Sequence, residues 1–219
     1  MAGTLRDLPL ERLDDVALLV IDVQYYCASP GEGENSHFSR SDIPPDKRYF
    51  FERLESTVLP SIAALQEELR SAGCEVIFST IESLTRDGRD RGIDHKISDI
   101  HVPRGSRDAK VLEEVQPLED EICLPKTTSS VFSSTTIDYV LRSLEVKRLI
   151  VTGLLTDQCV VSAVRDACDR GFLVIVPEDC CATYTRERHD WALALSSGYC
   201  RLTDSSTLIE EIRRLKGPG

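Results

Sequence analysis

The end of a strand, a turn and a helix are predicted in Val151-Thr-Gly-Leu-Leu-Thr-Asp-Gln-Cys159-Val-Val-Ser-Ala-Val-Arg-Asp-Ala-Cys168-Asp-Arg-Gly171. The apolar run 149–151 predicts a buried strand, residues 153–157 a sharp turn, and residues from 160 a helix that ends near Gly171. Cys159 then lies at a helix N-terminus, where unpaired N–H groups and the positive dipole end favour the nucleophilic thiolate. The alternative is that Cys159 is a small buried hydrophobe, which is the commoner role of cysteine.

Apolar runs elsewhere predict five more strands, and helical spacing predicts four more helices. Strands that alternate with helices of this length imply right-handed crossovers, and hence a parallel sheet covered by helices on both faces. A chain of 219 residues suits one α/β domain over 1–219. The strands are 16–23, 75–79, 121–126, 172–177 and 199–202; the helices are 50–72, with a kink or restart at Pro60, 135–143, 186–197 and 205–216.

The composition limits the partners and the compartment. A formal net charge of -11 argues against nucleic acid and against acidic membrane surfaces, and favours a small molecule or a protein. The segment Met1–Pro9 has no apolar leader, and no apolar run approaches the ~20 residues that span a bilayer, so we expect a soluble, cytoplasmic protein. The 8 cysteines show no C-x-x-C spacing, which indicates reduced thiols that are mostly structural.

Three chemically distinctive residues follow or end predicted strands. Asp22 ends the run 16–23, Lys126 closes the strand 121–126, and Cys159 follows the strand 149–151. The carboxyl ends of parallel strands share one edge of a sheet, and that edge holds the ligand in open α/β folds. No Gly-x-Gly-x-x-Gly and no Gly-Lys-[Ser/Thr] loop is present, so nucleotide-binding versions of this architecture lose support.

Together these residues resemble a family. Asp22 with Gln24, Lys126 with Ser130-Val-Phe132 behind it, and Gly153-Leu-Leu-Thr-Asp-Gln-Cys159-Val are similar to the blocks of the isochorismatase-like cysteine hydrolases, in order and spacing. The resemblance covers about residues 16–202. It implies a three-layer α/β/α fold with a six-stranded, mostly parallel sheet of order 3-2-1-4-5-6, and we expect a homo-oligomer, a dimer or a tetramer.

The resemblance also implies roles for single residues. Cys159 would be the nucleophile, Asp22 the general base and acid, and Lys126 the cation that holds both in place. The backbone N–H groups of Leu155 and Cys159 would form the oxyanion hole, and the Leu154–Leu155 peptide would be cis. Because an unperturbed thiol has a pKa of about 8.5, a base, an ammonium and a helix N-terminus are expected to make Cys159 mostly thiolate at neutral pH.

The presence of Cys159 favours the amidase branch of that family. We therefore expect a cysteine-dependent amidohydrolase that cleaves a C–N bond of a small linear amide, carbamoyl or ureido compound through a thioester. Two alternatives stay open: an isochorismatase-type hydrolase of a vinyl ether, and a catalytically silent member that acts as a binding protein.

No cofactor and no metal are expected. Nicotinamidase-like relatives bind a metal through an Asp-x-His motif and further histidines after the second strand, whereas this chain has Ser79-Thr-Ile-Glu-Ser83 there. Its 4 histidines, at 37, 95, 101 and 189, are scattered without ligand spacing. The substrate should accordingly differ from nicotinamide.

Candidates for substrate binding lie in two long polar segments, since functional residues concentrate on loops. Gln24, the Tyr25-Tyr26 pair and Phe132 are candidates for the pocket wall. The segment 80–110 is rich in charge, and arginine pairs carboxylates bidentately, so it predicts a preference for anionic carbamoyl or ureido acids over nicotinamide. The alternative is that these charges pair with one another in solvent. The candidates in this segment are Glu82, Arg86, Arg89 and His95.

Overall fold

A computed structural model describes residues 7–217 and has a parallel sheet at its centre. The sheet order is β3-β2-β1-β4-β5-β7, with β6 beside β4, and all pairs between these strands are parallel. The predicted order 3-2-1-4-5-6 is confirmed once the short β6 is set aside. The strands are β1 (Val16–Ile21), β2 (Glu75–Ile81), β3 (Ile122–Lys126), β4 (Arg148–Leu154), β5 (Leu173–Pro177), β6 (Cys181–Ala182) and β7 (Cys200–Thr203).

The additional strand β6 has two residues, and it pairs with the end of β4. β5 pairs with β4 only through Arg148, Leu149 and Ile150, whereas Gly153 and Leu154 pair with Cys181 and Ala182. A two-residue strand has too few side chains for a period-2 pattern, so the sequence could not indicate it.

Helices of very different length connect the strands. The longer ones cover the sheet, and the short ones belong to the loops at its carboxyl edge. They are α1 (Tyr25–Ala28), α2 (Pro45–Arg53), α3 (Leu59–Ser71), α4 (Ile93–Ile97), α5 (Val131–Ser134), α6 (Ile137–Ser143), α7 (Val161–Asp169), α8 (Arg186–Ser196) and α9 (Ser205–Lys216). Two π-helical turns span Leu54–Val58 and Thr156–Val160, and 3-10 turns span Gly33–Asn35, Arg40–Asp42, Arg107–Ala109, Glu113–Val115 and Glu178–Cys180.

Both faces of the sheet are apolar and buried, as expected for a parallel sheet between two helical layers. Leu18 and Val20 of β1 belong to one core cluster, which also contains residues of α3 and α9. Leu19 and Ile21 belong to a second cluster, which contains residues of α7. The alternation along one strand therefore assigns its side chains to opposite layers.

The predicted helix 50–72 is interrupted, and its start lies earlier. α2 begins at Pro45, the π-helical turn Leu54–Val58 follows, and α3 begins at Leu59 with Pro60 in its first turn. Proline lacks an N–H group and is tolerated at that position of a helix. The backbone stays right-handed helical through this junction, so Pro60 follows a π-helical turn within one helical run.

A close approach of β4 to β1 determines where the Cys159 turn lies. Gly153 has φ of +113°, and a Cβ atom there would lie 2.0 Å from the carbonyl oxygen of Ile21. Only glycine tolerates both conditions. Asp22, the next residue after β1, therefore lies beside the chain that leads from β4 to Cys159.

Some predictions are not decided by this fold. Within residues 7–217, no helix has both the length and the apolar character needed to cross a bilayer. The predicted lack of a leader concerns Met1–Pro9, of which residues 1–6 lie outside the described residues. The single domain over 1–219, the cytoplasmic location and the homo-oligomer stay predictions.

Candidate active site

Three strand ends bring Asp22, Lys126 and Cys159 together at the carboxyl edge of the sheet. Asp22 directly follows β1, Lys126 ends β3, and Cys159 lies in the turn Thr156–Val160 after β4. The Lys126 Nζ lies 2.9 Å from Asp22 Oδ2 and donates a hydrogen bond to Cys159 Sγ at 3.3 Å. β2 lies between β3 and β1 in the sheet. The long side chain of Lys126 therefore has to extend past β2 to contact Asp22 and Cys159.

Lys126 is fully buried, and its ammonium group has three contacts. Besides Asp22 and Cys159 it contacts the Thr128 carbonyl oxygen, to which Nζ donates at 3.0 Å. Burial acts to lower the pKa of Lys126, but Asp22 and Cys159 together raise it above the ordinary value. The side chain is therefore a permanent ammonium ion at the centre of the site.

Burial opposes the predicted thiolate form of Cys159. Burial raises the pKa of the Cys159 thiol to about 12, and Asp22 adds to the shift, while Lys126 acts in the opposite direction. These effects favour the thiol over the thiolate. Burial also raises the pKa of Asp22, against the effect of Lys126, and this makes the carboxylate a better proton acceptor. The helix N-terminus and one ammonium do not outweigh the loss of water around the sulfur.

A small pocket, partly open to solvent, adjoins Cys159 and Asp22. Its volume is about 40 Å³. The lining residues are Asp22, Tyr26, Cys27, Glu34, Ile81, Ile100, Leu154, Leu155, Gln158, Cys159 and Tyr184.

The two residues expected to supply the oxyanion-hole N–H groups, Leu155 and Cys159, both line this cavity. The Leu154–Leu155 peptide is cis, which confirms that prediction. Their assignment as an oxyanion hole stays a prediction.

Glu34 and Tyr184 form a polar part of the cavity wall. The Tyr184 hydroxyl donates to Glu34 Oε1 at 2.9 Å. Burial raises the pKa of Glu34, while the Tyr184 hydroxyl and Lys47 oppose that shift. A carboxylate that accepts a phenolic hydrogen bond thus faces the same cavity as the thiol.

Two predicted wall residues, Gln24 and Phe132, are absent from the lining. The Gln24 amide donates to the carbonyl oxygens of Ile81 and Asp108, both at 2.9 Å, and accepts from the Ile81 N–H at 2.6 Å. Its side chain therefore links loops to β2 and has a structural role. Phe132 packs beside Phe172, with ring centroids 6.3 Å apart. Contact of these two residues with substrate stays a prediction.

Tyr25 and Glu82 line a different cavity. The Tyr25 ring lies against the Arg107 guanidinium, 4.1 Å from the ring centroid. Glu82 Oε1 accepts from the Gly105 N–H at 2.7 Å. Of the predicted Tyr25-Tyr26 pair, it is Tyr26 that reaches the Cys159 cavity, because successive residues of α1 point in different directions.

The charged segment 80–110 does not supply arginines to the Cys159 cavity. Arg86 and Arg89 are exposed, and Arg89 pairs with Asp87 at 3.0 Å. His95 is buried outside the lining, and burial together with the nearby Lys126 lowers its pKa to about 4. The structure therefore favours the alternative in which these charges are solvated, and it removes the basis for predicting an anionic substrate.

Sequence reasoning missed Glu34 and Tyr184. Glu34 belongs to the polar, Gly-rich loop that follows β1, and no pattern in that loop marks one carboxylate. Tyr184 follows β6, which itself was not predicted. The two residues lie 150 positions apart, so only the fold brings them together.

The described part of the chain offers no group of three or more His, Cys, Asp or Glu side chains arranged to hold a metal ion. The expectation of no metal and no cofactor stays a prediction.

Comparisons with known proteins agree with this architecture. The isochorismatase domain family model matches residues 16–206. The structure of a cysteine hydrolase from Pseudomonas syringae pv. phaseolicola superposes with a TM-score of 0.79 at 22% sequence identity, covering 98% of this chain and 100% of that one. At such identity the likeness concerns the fold alone.

Two curated relatives share parts of the sequence. N-carbamoylsarcosine amidase of an Arthrobacter species is 30% identical over 128 residues, which are 56% of this chain and 48% of that protein. Ureidoacrylate amidohydrolase of Agrobacterium fabrum is 36% identical over 78 residues, which are 36% of this chain and 34% of that protein. The chain matches about half the length, or less, of these two relatives.

Proposed function

The chain belongs to the isochorismatase family, and we propose that it is a cysteine-dependent amidohydrolase acting on a small linear amide, carbamoyl or ureido compound. One observation carries the proposal: Lys126 contacts both the Asp22 carboxylate, at 2.9 Å, and the Cys159 sulfur, at 3.3 Å, beside a small cavity. A nucleophile, a base and an orienting cation are the parts that nucleophilic catalysis requires. The names of two relatives, an amidase and an amidohydrolase, support the same chemistry.

The first half-reaction forms a thioester. As Cys159 Sγ bonds to the substrate carbonyl carbon, the thiol proton passes to the Asp22 carboxylate. The carbonyl oxygen becomes an oxyanion, for which the N–H groups of Leu155 and Cys159 are the proposed donors. The C–N bond then breaks, and Asp22 returns the proton to the leaving nitrogen.

The second half-reaction releases the acid. Water attacks the thioester carbon while Asp22 takes a proton from it, and the C–S bond breaks as Asp22 returns that proton to the sulfur. Lys126 keeps its charge throughout and holds the carboxylate against the sulfur. The products are an acid or a carbamate and ammonia or an amine, and the protein ends in its starting state.

The raised pKa of Cys159 fits this sequence of steps. Because burial raises the pKa of Cys159, the thiol form is favoured, and proton transfer to Asp22 during attack supplies the nucleophilic sulfur. Asp22 is suited to that task because burial raises its own pKa.

The test is a screen of small amides, ureas and carbamoyl compounds with detection of released ammonia, combined with intact-mass detection of an acyl adduct. We expect Cys159→Ala to lower turnover by at least about a thousandfold, since it removes the nucleophile. Cys168→Ala is the matched control. Cys168 lies in α7, the helix that follows the Cys159 turn, and is partly buried. Its substitution should change turnover little. Retention of most activity by Cys159→Ala would remove the nucleophile assignment.

A further inference from the structure

Glu34 gives the Cys159 cavity a negative charge. Resting on the amidohydrolase function above, we infer that Glu34, held by Tyr184, selects substrates that carry N–H donors or a cation beside the scissile amide and disfavours substrates with a carboxylate there. This substrate class is the opposite of the one that the charged segment 80–110 suggested.

The loop that carries Glu34 is fixed against the site. Gly33, the preceding residue, has φ of +46°, and a Cβ atom there would lie 2.4 Å from the carbonyl oxygen of Tyr26. Asn35, the following residue, is buried and donates to the Cys27 carbonyl oxygen at 3.1 Å. Because both neighbours of Glu34 pack on α1, the backbone from which this carboxylate projects is fixed.

The charges around the cavity do not cancel. Asp22 and Lys126 form an ion pair at 2.9 Å, which leaves Glu34 as the unbalanced charge on the wall. Burial keeps the thiols and phenols of the lining protonated, since it raises the pKa of Cys27, Cys159, Tyr26 and Tyr184. Of the side chains that line the cavity in the described part of the chain, no lysine or arginine offsets Glu34.

Two further cations lie against the ring of Tyr184. Lys47 Nζ lies 3.9 Å and the Arg188 guanidinium carbon 5.3 Å from the centroid of the Tyr184 ring. Neither residue lines the cavity. A carboxylate brought against Glu34 would meet a like charge with little water to screen it, whereas an ammonium or a ureido N–H would gain a charge-assisted hydrogen bond.

The first test measures the cavity charge without relying on hydrolysis. Cys159 is alkylated with neutral iodoacetamide, anionic iodoacetate and cationic 2-bromoethylamine, and mass spectrometry follows modification of that cysteine. In Glu34→Gln, which keeps an acceptor for Tyr184, we expect the rate with iodoacetate relative to iodoacetamide to rise about tenfold and the relative rate with bromoethylamine to fall.

Glu32→Gln is the matched control. It removes the same charge two residues away, where Glu32 pairs with Arg107 at 2.8 Å outside the cavity lining. Its rate ratios should equal those of the native protein. Equal ratios in Glu34→Gln and native protein, or equal shifts in both variants, would overturn the inference.

The second test uses matched ureas. N-(2-aminoethyl)urea carries a cation, and N-carbamoylglycine carries a carboxylate at a similar distance from the carbamoyl group. We expect the native protein to have the higher kcat/KM for the aminoethyl compound, and Glu34→Gln to shift the ratio toward N-carbamoylglycine by about tenfold. Tyr184→Phe, which removes the hydroxyl and keeps the ring, should shift it in the same direction and serves where Glu34→Gln does not fold.

The two proposals fail in different ways. If native protein hydrolyses no amide or urea while the alkylation ratios respond to Glu34→Gln, the amidohydrolase proposal falls and the charge selectivity of the cavity stands. If the protein hydrolyses N-carbamoylglycine faster than the aminoethyl compound, with Glu34→Gln and Tyr184→Phe unchanged in that ratio, the substrate class inferred here is wrong and the hydrolase proposal stands.

Discussion

Lys126 is the residue on which the geometry of the site depends, because its ammonium contacts the other two members. Lys126→Met keeps a side chain of similar length and removes the charge that lowers the Cys159 pKa. We expect alkylation of Cys159 by iodoacetamide at pH 8 to slow by about tenfold or more, and its pH profile to move to higher pH. The protein should also lose about 3 kcal/mol of stability, since Asp22 becomes an unpaired buried charge.

Lys110→Met provides the control for that prediction. Lys110 is exposed, and its substitution removes the same charge without touching the site. Its alkylation profile should follow the native one. A native-like profile in Lys126→Met would show that the ammonium does not act on the sulfur.

Asp22→Asn separates reactivity of the thiol from catalysis. Asp22 contributes to raising the pKa of Cys159, so Asp22→Asn should speed alkylation of Cys159 at alkaline pH, where the reagent reacts with free thiolate and needs no base. Hydrolysis at neutral pH should nevertheless fall by at least about a hundredfold, because the amide side chain cannot accept the thiol proton or return it to the leaving group. Both quantities are measured on one preparation. Native-like hydrolysis in Asp22→Asn would contradict the base assignment.

Residues differ in how far the sequence predicts their place. Asp22, Lys126 and Cys159 each terminate or follow an apolar run, and parallel strands bring such positions to one edge. The positions of these three residues were therefore predictable from the sequence. The effect of burial on the pKa of Cys159 was not. Glu34 and Tyr184 lie in irregular segments whose course depends on packing, and no periodicity indicates which of their side chains meet.

At the scale of elements, the contact between β1 and β4 places Asp22 beside the Cys159 turn. Gly153→Ala should lower the free energy of unfolding by about 3 kcal/mol or more, because the new methyl group would overlap the Ile21 carbonyl oxygen. Activity should fall as well, since any separation of the strands moves Cys159 away from Asp22. Urea unfolding and amide hydrolysis together measure both effects.

Gly171→Ala isolates the steric part of that cost. Gly171 also has a positive φ, of +92°, but no atom lies within 4 Å of the added Cβ. The expected loss is about 1 kcal/mol, from backbone strain alone, with activity retained. Equal losses in the two variants would mean that the close approach of β4 to β1 contributes nothing to stability.

Elements were predictable where a pattern extends over several residues. The six longer strands and the helix Ser205–Lys216 follow from apolar periodicity, and the latter has the predicted bounds. The π-helical turn Thr156–Val160 spans the predicted boundary between the sharp turn 153–157 and the helix from 160, and the sequence could not indicate it, because a π-helix differs from an α-helix only in backbone hydrogen bonding. Such local choices depend on the strand and helices packed around them.

At the scale of the whole molecule, His189 connects three distant segments. Its Nε2 lies 3.0 Å from an Arg53 guanidinium nitrogen, and its Nδ1 lies 2.9 Å from the Thr156 hydroxyl oxygen. Arginine can only donate, so Nε2 accepts and Nδ1 carries the proton toward Thr156. The imidazole is therefore neutral, and it joins α2 and α8 to the turn that contains Cys159.

Stability should accordingly depend on pH between about 4 and 6.5. Burial, with Arg53 adding to it, lowers the pKa of His189 to about 4, whereas the unfolded chain titrates near 6.5. Because the pKa of His189 is lower in the folded protein, its contribution to the free energy of unfolding is complete above pH 6.5. That contribution is lost as the pH falls toward 4, by on the order of 2 kcal/mol. His95, buried and with a pKa of about 4, adds a similar loss.

Urea unfolding between pH 4 and 6.5 should show this decline in the free energy of unfolding. His189→Gln should reduce the decline by about half. His37→Gln, at an exposed position, should leave the decline unchanged. An unaltered slope in His189→Gln would mean that the imidazole bridges α2, α8 and the Cys159 turn in a charged state.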